Sequence, residues 1–134
     1  MIKLNGVENK LDKYPDGTFL FKDIPPIGGW CRDNIEWFFE SMEELTAVEY
    51  ITRYCWDHRV VPNLYMPYIP DARMDRVKHK NELFTLKYFA QTINSLHFGK
   101  VEVLDPHSDV SAALFNKVHV ESPNRMIEDA VKKI

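Results

Sequence analysis

Apolar and polar residues alternate along the first part of the chain with two different periods. Period-two alternation over residues 1–4, 18–21 and 35–39 predicts short strands. Between the first two strands, residues 14–17 read Tyr-Pro-Asp-Gly, which is typical of a turn. Residues 41–44 then form a Ser-x-x-Glu capping box, and four apolar residues behind it recur at helical spacing: Ala47, Val48, Ile51 and Cys55. The pattern predicts a helix that runs to about His58.

The second part of the chain repeats this alternation of strand and helix. Apolar runs at 64–69 and 101–104 predict strands, and a helix between them is expected to begin after Asn81 and stop at Gly99. Its predicted buried face consists of Leu86, Phe89, Ala90, Ile93 and Leu96. We also expect a short helix from Asp109 to Phe115 and a strand at 118–120. The last segment predicts a helix with one apolar face: Met126, Ile127, Ala130, Val131 and Ile134.

Alternating strands and helices favour a single α/β domain with a mainly parallel sheet flanked by helices. A crossover helix normally leads into a further parallel strand. Because the pattern stops in or after a helix, we expect residues 1–134 to be one domain of a larger protein.

Composition and charge narrow the class of protein. The chain has 134 residues, of which 45% are apolar and 13% aromatic, as in a folded domain with a hydrophobic core. Its net charge of −3 provides no basic field for nucleic acid. We find no apolar stretch of membrane-spanning length and no secretory signal, and Cys31 and Cys55 have no metal-binding spacing. We therefore expect a cytoplasmic protein with reduced thiols that binds neither nucleic acid nor membranes.

Two charged clusters directly follow the apolar runs of the second part. The first, at 71–76, reads Asp-Ala-Arg-Met-Asp-Arg, and the second, at 105–109, reads Asp-Pro-His-Ser-Asp. If both runs are parallel strands, both clusters lie at the carboxyl edge of the sheet, where open α/β folds bind ligands. Guanidinium groups bind phosphate and carboxylates bind hard cations, so this combination suits a polyphosphate with its divalent metal.

Simpler roles are open for the same residues. Arg73 could form a surface ion pair with Asp71 or Asp75, which would contribute little to stability. His107 could occupy a turn or the core, and Asp109 is as well placed to cap a helix as to bind a metal. The other histidines are scattered and have no predicted site role: His58, His79, His97 and His119.

Three segments resemble motifs of the ribose-phosphate diphosphokinases, also called phosphoribosyl-pyrophosphate synthetases. Residues 71–76 resemble the family's Y-A-R-Q-D-R/K motif, and residues 104–109 resemble its D-L-H-A/S-x-Q motif. Residues 14–18 are similar to the F-P/S-D/N-G/Q-E segment, and the helix at 84–90 is similar to the helix between the first two motifs. The resemblance covers only the N-terminal half of the family.

The resemblance implies a phosphoribosyltransferase-like fold and a function in nucleotide biosynthesis. The family is a group of homo-oligomeric transferases that use Mg²⁺ to transfer diphosphate from ATP to ribose 5-phosphate. It implies that Arg73, Asp75 and Arg76 contact ATP, and that Tyr14 and Asp16 contact adenine in a neighbouring subunit. It also implies that His107 acts at the magnesium and the transferring group. Because carboxylates bind hard cations, we expect Asp105 and Asp109 beside it to be further metal ligands.

The chain also departs from the family. Met74 replaces the usual glutamine, Thr18 replaces the glutamate of the turn segment, and we find no acidic, glycine-rich phosphoribosyl loop. We expect the ribose-phosphate domain to be absent, and these residues alone to bind magnesium-ATP weakly without turnover. One alternative is a non-catalytic regulatory or scaffolding relative. Another is a metal-dependent phosphohydrolase built on Asp105, His107 and Asp109.

Overall fold

The computed structural model describes residues 1–30, 32–74, 76–77, 79–104, 109–121 and 130–132, with the backbone alone at 109 and 110. Strands and helices alternate after an initial group of short strands, as the sequence predicts. The elements are β1 (Ile2–Leu4), β2 (Val7–Asn9), β3 (Asp12–Lys13), β4 (Phe19–Leu20), β5 (Asn34–Trp37), α1 (Glu44–Asp57), β6 (Asn63–Met66), α2 (Thr85–Ser95), β7 (Val101–Leu104), α3 (Asp109–Ala113) and β8 (Val118–Glu121).

Six strands form one mixed sheet in the order β2-β1-β5-β6-β7-β8. The four strands from β5 to β8 are parallel to their neighbours, while β1 is antiparallel to both β2 and β5. The prediction of a mainly parallel α/β sheet flanked by helices is therefore confirmed. The antiparallel hairpin of β1 and β2 was not predicted in full, because the sequence pattern indicated β1 but not β2.

One face of the sheet carries the hydrophobic core. Side chains that alternate along the central strands are fully buried there: Ile2, Leu4, Ile35, Trp37, Leu64 and Met66. Trp37 connects both long helices to this face, since its Nε1 donates to Glu44 of α1 at 3.3 Å and its ring lies 6.1 Å from Phe89 of α2. Phe115, just after α3, also packs on Phe89. Thus α1, α2 and the α3 region lie on the same, apolar side.

The opposite face carries a polar row that crosses the sheet in register. Glu8, Lys3, Glu36, Tyr65, Glu102 and His119 lie side by side on six successive strands. Phe38 joins this face, with its ring 6.1 Å from Tyr65 and the Lys3 ammonium 5.8 Å from its centre. We refer to this surface, defined by these seven residues, as the polar face.

Helix α1 begins and ends close to the predicted positions. The Glu44 carboxylate accepts from the backbone N–H of Ser41 at 3.0 Å, which is half of the predicted capping box, but the Ser41 hydroxyl does not return a bond to the helix. At the other end, Arg59 adopts a left-handed conformation (φ 58°). The N–H groups of Arg59 and Val60 then bond to the carbonyls of Trp56 and Cys55, as in a Schellman cap.

The predicted ends of α2 were wrong. The helix begins at Thr85 rather than just after Asn81, which itself has a positive φ of 70° and cannot cap it. The helix ends at Ser95, where His97 (φ 51°) supplies the left-handed turn that was assigned to Gly99. Gly99 instead permits a close approach, because a Cβ atom there would lie 2.7 Å from Arg32 Nη1 and 2.8 Å from Asn63 Oδ1.

The remaining predicted elements are mostly confirmed. β8 matches the predicted strand at 118–120, and α3 ends at Ala113, two residues before the predicted Phe115. Residues 130–132 are helical, and Ala130 and Val131 are exposed there. Met126, Ile127 and Ile134 of the predicted apolar face lie outside the described residues. Among the helices that the structure describes, none is long and apolar enough to cross a membrane.

The buried thiol of Cys55 yields a test of this core. Cys55 is fully buried on α1, and burial together with the charge of Asp33 raises its pKa to about 11. We expect a Cys31→Ser variant to resist a thiol-specific reagent at mildly alkaline pH, because the thiolate is the reactive form, and to react fully once urea unfolds it. The measurement is the rate at which absorbance rises as a chromogenic reagent reacts with the thiol. Rapid stoichiometric reaction of the folded variant would contradict the buried position of Cys55.

Candidate functional site

The two predicted charged clusters follow neighbouring parallel strands. β6 and β7 pair directly, with Leu64 opposite Val101 and Met66 opposite Val103. Because parallel strands point the same way, the segments that follow both strands start at the same, carboxyl edge of the sheet. The premise on which the site was predicted is therefore confirmed.

The first cluster forms an anchored loop with exposed arginines. Ile69 and Ala72 are buried at 3% and 2% exposure and fix the loop to the core. Asp71 adopts a left-handed conformation (φ 63°), and its carbonyl accepts from the N–H of Met74 at 2.9 Å. This tight turn projects Arg73 into solvent, since it is exposed, as is Arg76 further along the loop.

Neither Arg73 nor Arg76 has a hydrogen-bond or ion-pair partner in the part of the chain that the structure describes. Arg73 forms no ion pair with Asp71, and no hydrogen bond or ion pair involves Arg73 or Arg76 among the described residues. The surface ion pair between Arg73 and Asp71 is therefore excluded, whereas Asp75 lies outside the described residues. Two exposed guanidinium groups that have no partner among the described residues are suited to bind phosphate oxygens.

The second cluster remains a prediction. Asp105 and His107 lie outside the described residues, and Asp109 is the first residue of α3 with its side chain not described. Whether His107 faces Arg73 is thus untested. Within the described ranges, no three histidine, cysteine or acidic residues converge in a way that could hold a metal.

An aromatic stack at the same edge was missed by the sequence reasoning. Phe39, two residues after β5, lies parallel to Tyr68, two residues after β6, with 5.5 Å between ring centres and 26° between planes. Tyr68 is 44% exposed, so its ring presents an apolar surface at the edge that carries Arg73. The available signal was the presence of an aromatic residue two positions after each of two adjacent parallel strands.

The predicted adenine-contacting residues lie at the tip of the β3–β4 hairpin. The turn is closed by the N–H of Gly17, which donates to the carbonyl of Tyr14 at 2.9 Å. The Asp16 carboxylate accepts from the N–H and the hydroxyl of Thr18, and these two bonds lower the pKa of Asp16. Thr18, which departs from the family motif, therefore stabilises the turn.

The hairpin is connected to α1 and the residue that precedes it. Phe21, after β4, lies 6.0 Å from the ring of Tyr50, and Lys13 pairs with Glu43 at 2.6 Å. Tyr14 is half-exposed at the tip, and among the described residues no hydrogen bond or ring contact joins it to Arg73 or Arg76. An adenine contact of Tyr14 across subunits remains a prediction.

Comparisons with known proteins support the fold at the level of structure. No protein-family model and no curated protein sequence matches the chain. Among solved structures, the chain is similar to phosphoribosylpyrophosphate synthetase from Mycobacterium smegmatis, with a TM-score of 0.69 and 14% sequence identity. The match covers 94% of this chain and 43% of that enzyme, so the chain spans less than half its length. The chain thus has a mixed α/β fold similar to part of a phosphoribosylpyrophosphate synthetase.

Proposed function

We propose that the chain is the ATP-binding part of a ribose-phosphate diphosphokinase. One observation carries the proposal: β6 and β7 are adjacent and parallel, so both motif-bearing segments begin at one edge of the sheet. The similarity in fold to a phosphoribosylpyrophosphate synthetase supports the same assignment. The full protein would transfer diphosphate from ATP to ribose 5-phosphate, with the ribose phosphate bound outside these residues.

In this proposal the exposed arginines provide the phosphate-binding charge. Phosphoryl-transfer enzymes act chiefly by positioning the phosphates and stabilising their charge. Arg73 and Arg76 would donate to triphosphate oxygens, and the anchored turn at Ile69 and Ala72 would hold Arg73 in place. The flat surface of Tyr68 on Phe39 would give the nucleotide an apolar contact beside them.

Magnesium belongs to the proposal through the second cluster. Carboxylate oxygens are hard ligands that suit Mg²⁺, and Asp105, Asp109 and His107 would lie nearest to it. The metal would supply charge neutralisation of the phosphates. Asp75 would orient the nucleotide or a water molecule, and a second copy of the chain would present Tyr14 and Asp16 to the adenine.

The first test is binding of ATP with magnesium, measured by titration calorimetry. We expect weak binding by the chain and about a tenfold to hundredfold loss in Arg73→Ala, because a charge-assisted hydrogen bond contributes about 1.5–3 kcal/mol. Arg53→Ala is the matched control, since Arg53 is an exposed arginine on α1. Equal losses in the two variants would contradict a site at Arg73. We expect no formation of phosphoribosyl pyrophosphate by the chain alone.

A second candidate is a non-catalytic relative that retains the fold. It is favoured by Met74, which cannot donate the hydrogen bonds of the family's glutamine, and by Thr18, whose hydroxyl is already bonded to Asp16. Absence of heat with millimolar ATP and magnesium would support this candidate against the first.

A further inference from the structure

Two adjoining cavities lie on the polar face and beside it. A cavity of about 460 Å³ lies over β5–β8, with Leu64 of β6 at its base. It is lined by polar side chains: Asn34, Glu36, Asn63, Tyr65, Glu102 and Glu121. A second, of about 610 Å³, continues past the amino ends of the strands to the loop at 26–33. Asn34 and Glu36 line both, so the two form one groove. The groove runs from the loop at 26–33 to Glu121, the last residue of β8, and neither cavity is lined by Arg73.

The charge of the groove is predominantly negative. Four carboxylates and one guanidinium line its walls: Asp33, Glu36, Glu102, Glu121 and Arg32. Burial raises the pKa of the Tyr65 hydroxyl, and the nearby charges of Glu121, Glu102 and Glu36 raise it further. The Glu102 carboxylate is paired with Lys100. Glu36 and Glu121 have no such partner within the described chain, so they are available to an incoming cation.

One wall of the groove is a loop that is hydrogen-bonded at both ends and exposes an aromatic side chain. Asp33 is 5% exposed and accepts from the N–H of Gly28 at 3.1 Å and from Asn5 Nδ2 at 2.7 Å. Asn5 Nδ2 also reaches the carbonyl of Pro26 at 3.2 Å. These bonds tie Pro26 and Gly28 to Asn5 and Asp33, and Trp30 between Gly28 and Asp33 is completely exposed. A tryptophan held open to solvent is typical of a binding surface, where tryptophan and arginine contribute most.

We propose that this groove binds a basic, extended peptide segment of a partner protein. Lysine and arginine side chains only donate hydrogen bonds, and they pair with carboxylates and stack on aromatic rings. Trp30 lines the larger cavity and Tyr65 lines the smaller one, and Glu36 lines both. Successive cations of one peptide can therefore contact an aromatic ring or a carboxylate at each point. The proposal is independent of the proposed ATP site.

The test uses a fluorescein-labelled peptide of alternating arginine and serine, with binding followed by anisotropy at low ionic strength. We expect Glu36→Gln with Glu121→Gln to weaken binding about tenfold, because two charge pairs with half-buried carboxylates are lost. Trp30→Ala is expected to weaken it severalfold. An otherwise identical peptide with glutamate in place of arginine should not bind.

Matched variants separate this site from a general charge effect. Glu40→Gln with Glu43→Gln removes the same charge beside α1, where both side chains are exposed, and should leave binding unchanged. Tyr88→Ala removes a half-exposed aromatic ring from α2 and should likewise have no effect. Thermal melting checks that all variants fold. Equal weakening by the two glutamate pairs would overturn the proposal. Complete displacement of the peptide by an equal concentration of spermidine would also overturn it, since it would show a site for small cations only.

Discussion

Trp37→Ala is expected to destabilise the protein by about 4 kcal/mol, which is the scale for removing a fully buried tryptophan. Trp37 has no exposed surface, and its ring packs between Phe39 at 5.8 Å and Phe89 at 6.1 Å. The substitution would open a cavity between the sheet and α2. It would also remove the Nε1 donor that reaches Glu44. Because domains of this size are stable by only about 5–15 kcal/mol, much of the stability would be lost.

The measurement is urea unfolding followed by far-ultraviolet circular dichroism, which does not depend on tryptophan fluorescence. Trp30→Ala is the control of the same chemistry, since Trp30 is completely exposed and should change stability by less than about 0.5 kcal/mol. Equal midpoints for the two variants would contradict the central position of Trp37 in the core.

The sequence pattern predicted which segments form strands and helices better than it predicted where the helices end. Period-two alternation identified β5, an apolar run identified β7, and apolar residues at helical spacing identified α1 and α2, because each element must present an apolar face to the core. The helix ends were harder. Left-handed conformations fall on Arg59 and His97 rather than on a glycine, so composition gave no signal for them.

The sequence predicted where the candidate site lies, but it did not predict all of the residues that form it. The position followed from strand order, since charged residues after two parallel strands must begin at one edge. The stack of Phe39 on Tyr68 was missed because it depends on two chain segments that lie 29 residues apart and meet only in the fold. The polar face was missed for the same reason: Glu36, Tyr65 and Glu102 become neighbours only through strand register.

The polar face also shows how this sheet differs from the usual parallel sheet. Parallel strands are normally buried on both faces and are apolar throughout. Here β5, β6 and β7 alternate buried apolar residues with mostly polar residues that are half-buried or exposed, a pattern typical of a sheet with one open side. The same pattern that builds the core on one side therefore leaves Glu36, Tyr65 and Glu102 available on the other.

Glu44→Gln is expected to cost about 3 kcal/mol at neutral pH, because a buried carboxylate with several donors would lose its charge. Glu44 is 6% exposed, and its Oε1 accepts from the N–H groups of Glu40 at 2.7 Å and Ser41 at 3.0 Å, and from Trp37 Nε1. Its Oε2 accepts from the amino group of Met1. In glutamine an NH₂ group would replace one of the two accepting oxygens, so the donors on that side would lose their acceptor. This carboxylate therefore joins β1, β5 and the start of α1.

The pH dependence distinguishes the charge of Glu44 from its shape. Burial alone would raise the pKa of this carboxyl, but the bonds from the Met1 amino group, Ser41, Glu40 and Trp37 outweigh it and lower the pKa below 4.5. Folding therefore favours the ionised form. The stability that this form contributes is present above pH 4.5 and is lost as the pH falls through the lower pKa of the folded state.

Urea unfolding at a series of pH values should show the free energies of unfolding of the wild type and Glu44→Gln becoming equal in acid. Glu43→Gln, which removes a half-exposed carboxylate paired with Lys13, should cost less than about 1 kcal/mol at every pH. A difference between wild type and Glu44→Gln that stays constant from neutral pH into acid would show that shape, and not charge, accounts for the role of Glu44.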